Sequence, residues 1–253
     1  MKFLGILQAR SSSSRLPGKV SKPILGKAML LRQIDRLKRC QELDQLVVAT
    51  SNHESDDTLV EMCERNAIAY YRGSLNNVLD RFYMTYKHFG ATDIVRLTGD
   101  CPLADAKVID HVINQHKGLG AAYTSNTIRP TYPDGLDVEV FKAESLEKAW
   151  NEATLASEKE HVTPYIVKHP ELFSQHNVEN SSDMSALRWT VDTPEDFEFV
   201  LRIYEALMSK RPNFTMDDVL ELLKKHPELK DLNANSARNS GYVESLEKDM
   251  TAP

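Results

Sequence analysis

Short apolar runs rich in Val, Ile and Leu alternate along this chain with longer segments whose apolar residues recur every three or four positions. Strands apolar on both sides belong to a sheet covered on both faces, and amphipathic stretches between them are the crossover helices of parallel strands. The pattern restricts the chain to an α/β fold with a mostly parallel sheet. Predicted strands are 3–7, 46–50, 67–71, 93–97, 121–125, 136–141, 174–178 and 187–191. Predicted helices are 29–39, 56–66, 78–89, 106–116, 143–156, 160–168, 194–208 and 215–225. Ser55 is placed to cap the second helix, and Pro194 suits the first turn of the seventh. Residues 128–135 carry Pro130, Pro133 and Gly135, a loop long enough to wall a substrate. We expect one domain over 1–230 and a polar tail over 231–253 that is either an extended strap or partly mobile.

With 253 residues, 41% hydrophobic and 27% charged, the chain can bury one substantial core. A net charge of −6 argues against general affinity for nucleic acid or anionic membrane, so any basic site must be local. No apolar run approaches membrane-spanning length and the opening residues are too short for a secretory signal, which makes the cytoplasm the expected compartment. Cys40, Cys63 and Cys101 lack the spacing of a zinc site or the density of a disulfide scaffold and are expected as free thiols. His53, His88, His111, His116, His169, His176 and His226 show no paired spacing and are expected at the surface, whereas Trp150 and Trp189 are expected in the core.

The sharpest motif is Gln8-Ala9-Arg10, four serines, then Arg15-Leu16-Pro17-Gly18-Lys19, directly after the first strand. Open α/β sheets bind ligands at strand carboxyl ends, and three cations among small residues offer guanidinium forks, an ammonium and backbone N–H groups to a polyphosphate. It is not a Walker loop, because the upstream glycine and the Ser/Thr after the lysine are missing. A second motif, Thr98-Gly99-Asp100-Cys101-Pro102, sets a carboxylate beside a glycine turn at a strand end, where it can reach into a cleft and hold a metal. In a third, Arg188, Thr190 and Asp192 share a predicted strand face, and Asp192 stands where a helix cap would stand. Capping and metal binding are compatible if each takes one oxygen. Asp137 and Glu139 share a face of their own strand and, with Asp134, offer acceptors for sugar hydroxyls or amines. His161, at a helix start, is placed either to touch substrate or to cap and pack.

These segments, together with Tyr71-Arg72-Gly73-Ser74, Val78-Leu79-Asp80-Arg81, the run from Pro133 to Phe141, Glu160-His161-Val162-Thr163-Pro164-Tyr165 and Val191-Asp192-Thr193-Pro194-Glu195-Asp196, resemble the SpsF-type spore coat polysaccharide biosynthesis proteins. That is a branch of the cytidylyltransferases, relatives of the CMP-KDO and CMP-sialic acid synthetases, and the shared motifs run in order over about residues 3 to 245. The resemblance implies a nucleotide-diphospho-sugar transferase fold, a mostly parallel mixed sheet flanked by helices. It also implies attack of a sugar hydroxyl on the α-phosphorus of CTP. By position, Arg10 and Lys19 would bind the triphosphate and, with Asp100, carry catalysis, while Arg15 lends charge. The backbone of Leu7, Gln8 and Ala9 would line the base pocket, and Arg72 and Gly73 would close over cytosine and ribose. Asp100 and Asp192 would hold Mg2+ or Mn2+; on their own chemistry rather than by resemblance, Asp134, Asp137, Glu139, His161 and Arg188 are expected to face the sugar. The sugar-acid enzymes do not carry the Pro133 to Glu139 segment in this form, so their sugar pockets do not transfer.

The expected partners are CTP and a sugar or sugar acid, without nucleic acid or membrane, in a homodimer built through the amphipathic helices of 143–168. Two other readings compete. A glycosyltransferase of the same fold would centre its metal on an Asp-x-Asp pair, which Gly99-Asp100-Cys101 does not supply. A catalytically silent nucleotide-binding protein would lack an acidic ligand or a cation, and all are present here.

Overall fold

The computed structural model describes residues 1–13, 15–234, 238 and 240–251. A seven-stranded sheet is built from β1 (Phe3–Gln8), β4 (Gln45–Ser51), β5 (Tyr70–Gly73), β6 (Asp93–Thr98), β7 (Tyr123–Ser125), β8 (Glu139–Lys142) and β9 (Gln175–Asn177). A separate short hairpin joins β2 (Pro23–Ile24) to β3 (Lys27–Ala28). The sheet order is β5-β4-β1-β6-β8-β7-β9, and only β8 runs against the rest. Central β1 is apolar on both sides because both sides are covered. Phe3 and Leu7 enter one core and Leu4 and Ile6 the other.

The first core takes apolar faces from α1 (Met29–Leu37), α2 (Asp57–Arg65), α4 (Ala106–Leu119), α8 (Pro194–Leu207) and α9 (Met216–Lys225). The second is closed by α3 (Val78–Phe89), α5 (Ala143–Glu152) and α7 (Pro164–Lys168). Between α5 and α7 lies α6 (Ala156–His161), against which α10 (Ser240–Thr251) packs. No helix among the described residues is long and apolar enough to cross a membrane.

Several sequence expectations are corrected. The long helix expected over 160–168 is broken at Val162, whose φ of 74° lies in the left-handed region. The strand expected over 187–191 makes only an isolated bridge between Arg188 and Asp134, because its backbone bonds to turns: Trp189 N donates to Asp134 O (2.6 Å) and Val191 N to Asp100 O (2.8 Å). Ser55 lies inside a 3-10 turn, Glu54–Asp56, that His53 caps. His116 is buried between Thr124 Oγ1 (3.0 Å) and Asp93 Oδ1 (3.1 Å) rather than at the surface. Trp150 is 37% exposed and stacks on Tyr83 with centroids 4.1 Å apart, while Trp189 is in the core as expected. After residue 230 the chain forms a 3-10 turn, Pro227–Asn233, and then α10, not an extended strap.

Gly135 fixes how the 130s loop meets the 187–191 segment. Its φ is 105°, and a Cβ there would stand 2.6 Å from Thr190 N and 2.7 Å from Trp189 C. Both atoms are backbone and cannot swing away. Gly135→Ala is expected to cost about 2–3 kcal/mol and to lower Tm by about 5–10 °C in a calorimetric scan. An unchanged Tm would mean that the two segments are not held this closely.

Candidate active site

The strand order reverses direction at β1, with β4 on one side and β6 on the other, and such a point opens a crevice beyond the strand carboxyl ends. Gly99 N donates to Gln8 O at 2.8 Å, and a Cβ on Gly99 would meet that oxygen and Ala9 Cβ, each at 2.9 Å. The missing side chain lets the loop after β6 lie against the loop after β1. Leu7 and Ala9 are buried beneath this junction, Gln8 ends the strand, and Arg10 is exposed beyond it.

Lys19 opens a 3-10 turn behind Gly18, which takes the left-handed conformation. Only 8% exposed, it donates to Val191 O (2.7 Å), Asp192 Oδ1 (2.9 Å) and Asp100 Oδ2 (3.3 Å). Burial alone would drive the ammonium towards its neutral form, but the two aspartates outweigh it and hold its pKa above the usual value. Asp192 shows the converse. Burial would raise its carboxyl, yet Lys19, then Arg15 at 3.1 Å and Arg188, keep it below the usual range. Asp100 and Asp192 thus share one cation within hydrogen-bond reach, although they lie far apart in sequence. Asp192 does not cap α8: Thr193 does, in a reciprocal box with Asp196.

The acidic residues that the sequence assigned to a sugar are engaged internally. Arg188 is 9% exposed and spans Asp134 (2.9 Å), Asp192 (3.0 Å) and both oxygens of Asp196 (2.9 and 3.0 Å). Burial would lower its pKa, but Asp196 and Asp134 raise it. Burial also lifts the carboxyl of Asp134, against the pull of Arg238 and Arg188. Glu139 lies at the start of β8, in the sheet interior and not on a solvated edge. It accepts from Tyr123 Oη and Thr163 Oγ1, each at 2.6 Å, and pairs with Arg96. His161 Nε2 meets Ser245 Oγ at 2.9 Å and the Tyr242 ring at 5.1 Å, and burial, then Arg96, lowers its pKa. The tail therefore reaches this wall of the site, with Asn233 bonded to Arg188 O and Asp196 Oδ1 at 3.0 Å and Arg238 bonded to Asp137 at 2.6 Å.

Arg72 and Gly73 end β5 rather than standing in a free loop. Arg72 is tied to Ser51 O and His53 O, both at 3.0 Å, and to Asp57 at 2.7 Å. Sequence reasoning passed over Arg81, Arg96, Asp196 and Arg238 as site residues. For Asp196 the signal was present, since Thr193-Pro194-Glu195-Asp196 has the spacing of a capping box. For Arg81 it was an arginine among Val78, Leu79, Phe82 and Thr85, all buried in α3.

Asp137 carries a pH signature. Burial pushes its carboxyl up to about 7 from an ordinary 3.8, with Arg238 opposing and Asp134 and Glu139 adding to the rise. The native state binds this proton more tightly than the unfolded chain, so the stabilisation is complete below the unfolded pKa and is lost as pH rises through about 7. Urea unfolding at pH 5 and pH 8 should therefore show the wild type losing stability relative to Asp137→Asn. A constant difference between the two proteins would refute the raised pKa.

The family model for cytidylyltransferases matches residues 4–238. This chain belongs to the cytidylyltransferase family. It is a nucleotidyltransferase in the corresponding fold, as the motifs implied. It is 34% identical to the spore coat polysaccharide biosynthesis protein SpsF of Bacillus subtilis over 233 residues, covering 89% of this chain and 95% of that one. It is 35% identical to an uncharacterized protein, MJ1063, of Methanocaldococcus jannaschii, covering 96% and 99%. Among solved structures, a cytidylyltransferase from Leptospira borgpetersenii aligns with a TM-score of 0.86 at 33% identity, covering 94% and 98%. At 16% identity, the CMP:2-keto-3-deoxy-manno-octonic acid synthetase solved with CTP shares the fold with a TM-score of 0.62, covering 81% and 99%.

Proposed function

We propose that this cytidylyltransferase transfers CMP from CTP to a hydroxyl of a sugar or sugar acid, releasing pyrophosphate, and that the product is an activated precursor for a surface polysaccharide or other glycan. The observation that carries the proposal is the convergence of Asp100 and Asp192 on one ammonium, at the strand edge that also bears Arg10 and Arg15. The name of the SpsF relative supports a polysaccharide product. A keto-sugar acid acceptor draws on the 3-deoxy-manno-octulosonate cytidylyltransferases, such as that of Nitratidesulfovibrio vulgaris, 31% identical over 43% of this chain.

The donor set fits a divalent ion. Two carboxylates already share a cation, and among the described residues no three or more His, Cys, Asp or Glu side chains gather into a cage of their own. Magnesium commonly takes one or two carboxylates and completes its shell with phosphate oxygens and water. Bound by Asp100 and Asp192, Mg2+ or Mn2+ would neutralise charge on the triphosphate. Lys19 then releases the aspartates and turns its ammonium to the phosphates, with Arg10 and Arg15 beside it. The acceptor oxygen forms its bond to the α-phosphorus, the bond to the β-phosphate bridge breaks, pyrophosphate leaves with that electron pair, and the hydroxyl proton passes to solvent. The residues supply positioning and charge neutralisation, which dominate phosphoryl and nucleotidyl transfer. Pyrophosphate release should appear with CTP, Mg2+ and a panel of sugars and sugar acids. No turnover with CTP across a broad panel, or UDP-sugar hydrolysis exceeding CTP consumption, would overturn the reading.

The same proposal includes cytoplasmic location and a homodimer through α5, α6 and α7. Support for the dimer comes from the exposed Trp150 of α5, stacked on Tyr83. Light scattering at micromolar concentration should give twice the chain mass; monomer alone would remove that part.

A further inference from the structure

Among the described residues, Gln8 Oε1 and Arg81 Nε are buried without a hydrogen-bond partner. They face the same side of the sheet. Leu4 and Ile6 of β1 pack with Leu79 and Phe82 of α3, and Gln8 continues that face by the two-residue alternation of a strand. Arg81 is 2% exposed, makes no ion pair among the described residues, and donates through Nη1 to Ser74 O at 2.8 Å. Its stem lies so close to β5 that a Cβ on Gly73 would meet Arg81 Cγ at 2.9 Å. Burial, and then the neighbouring charge of Arg10, push the guanidinium down to about 10, which leaves it charged at neutral pH. Asp56 is a carboxylate whose charge acts on Arg81, but Asp56 is engaged by Ser11 N (2.7 Å), Ser51 N (3.1 Å) and Ser51 Oγ (2.5 Å).

A buried cation with an unmet N–H and no counter-ion weakens the fold unless a ligand uses it. We propose that Arg81 and Gln8 read the base of the nucleotide, Arg81 Nε–H donating to the N3/O2 edge of cytosine and Gln8 Oε1 accepting from its 4-amino group. This rests on the transfer from CTP proposed above and assigns its base selectivity. Uracil inverts the pattern, because its N3 carries a proton and its position 4 is a carbonyl. A glutamine can rotate its amide to suit either base. A guanidinium only donates, so rejection of uracil falls on Arg81. Arg10, exposed and on the same side of the crevice, is left for the phosphates.

The test compares Mg2+-CTP and Mg2+-UTP binding by calorimetry for the wild type, Arg81→Lys, Arg81→Met and Gln8→Met, with thermal melts as a control of folding. The wild type should prefer CTP. Arg81→Lys, which keeps the charge but loses the planar fork, should narrow that preference by about 10–100-fold, with UTP affinity little changed. Arg81→Met should narrow it at least as far, and Gln8→Met should weaken CTP and UTP by similar factors, because the glutamine amide serves either base. If CTP and UTP weaken equally in the Arg81 variants, Arg81 serves phosphate or structure and the inference is overturned. Should both Arg81 variants fail to melt cooperatively, Gln8→Met decides: unchanged affinity for both nucleotides overturns the inference. If the wild type itself has no preference for CTP, it is the transfer reading that fails.

Discussion

Asp100→Asn is expected to reduce CTP-dependent pyrophosphate release by about 10^3-fold while leaving the fold intact. Asp100 receives little structural load, since its side-chain partners among the described residues are Lys19 at 3.3 Å and the thiol of Cys101 at 3.4 Å. Asparagine keeps the shape and removes the charge that a divalent ion needs. Asp192→Asn should lose comparable activity and some stability as well, because Lys19, Arg15 and Arg188 all lean on that carboxylate. The stability loss follows from uncompensated charge in a mostly buried cluster, not from a lost helix cap, which Thr193 provides. Activity is measured against Mg2+ and Mn2+ concentration. Near wild-type turnover in either variant at saturating metal would exclude the shared-ion arrangement.

Lys19→Met is expected to separate two roles of one side chain. If the ammonium serves the triphosphate, its loss should remove about 2–4 kcal/mol of transition-state stabilisation, read as kcat/KM for CTP. In the structure, however, the ammonium occupies the space between Asp100 and Asp192. Its removal should leave Asp100 without its cation and Asp192 held only by Arg15 and Arg188, so the free protein should bind Mg2+ or Mn2+ more tightly than the wild type does. Lower activity with higher metal affinity is the expected pair of results. Activity lost with metal affinity also reduced would mean that Lys19 only braces the site. Arg10→Ala, which touches neither aspartate through any described bond, should lower activity without changing metal affinity.

Elements whose stability comes from one strong period were legible in the sequence. β1, α3 and α8 fall within a residue or so of expectation, because an apolar strand at the sheet centre and a capped amphipathic helix have little alternative. The 187–191 segment misled because its Trp-Thr-Val run is β-like in composition while its hydrogen-bond partners are the backbones of Asp134 and Asp100, far away in the chain. The tail misled for the opposite reason. It has few apolar residues, and α10 is fastened by polar contacts, Ser245 to His161 and Glu160 and Asp249 to Ser157 N, that no periodicity announces. At the site, the cationic loop and Asp100 were identifiable as residue types at a strand end. That Lys19 would be drawn between aspartates 81 and 173 positions away was not, since only the folded sheet edge brings them together. Nor was it visible that Glu139 and Asp134 would spend their oxygens on Arg96 and Arg188.

The way the C-terminal segment closes on the sheet sets an order of assembly during synthesis. The strands up to Asp100 emerge early and can pair β1, β4, β5 and β6 as soon as they leave the ribosome, but the cluster that joins Lys19 and Arg15 to Asp192 cannot form until the chain is 192 residues long. Nor can the wall around Arg188, Asp137 and His161 be finished then. Arg188 waits for Asn233, Asp137 for Arg238, and His161 for Ser245, over separations of 45, 101 and 84 residues. A nascent chain halted before these contacts would hold paired strands without their C-terminal clasp, and if the proposed transfer reading is right, only translation of that clasp would complete the site.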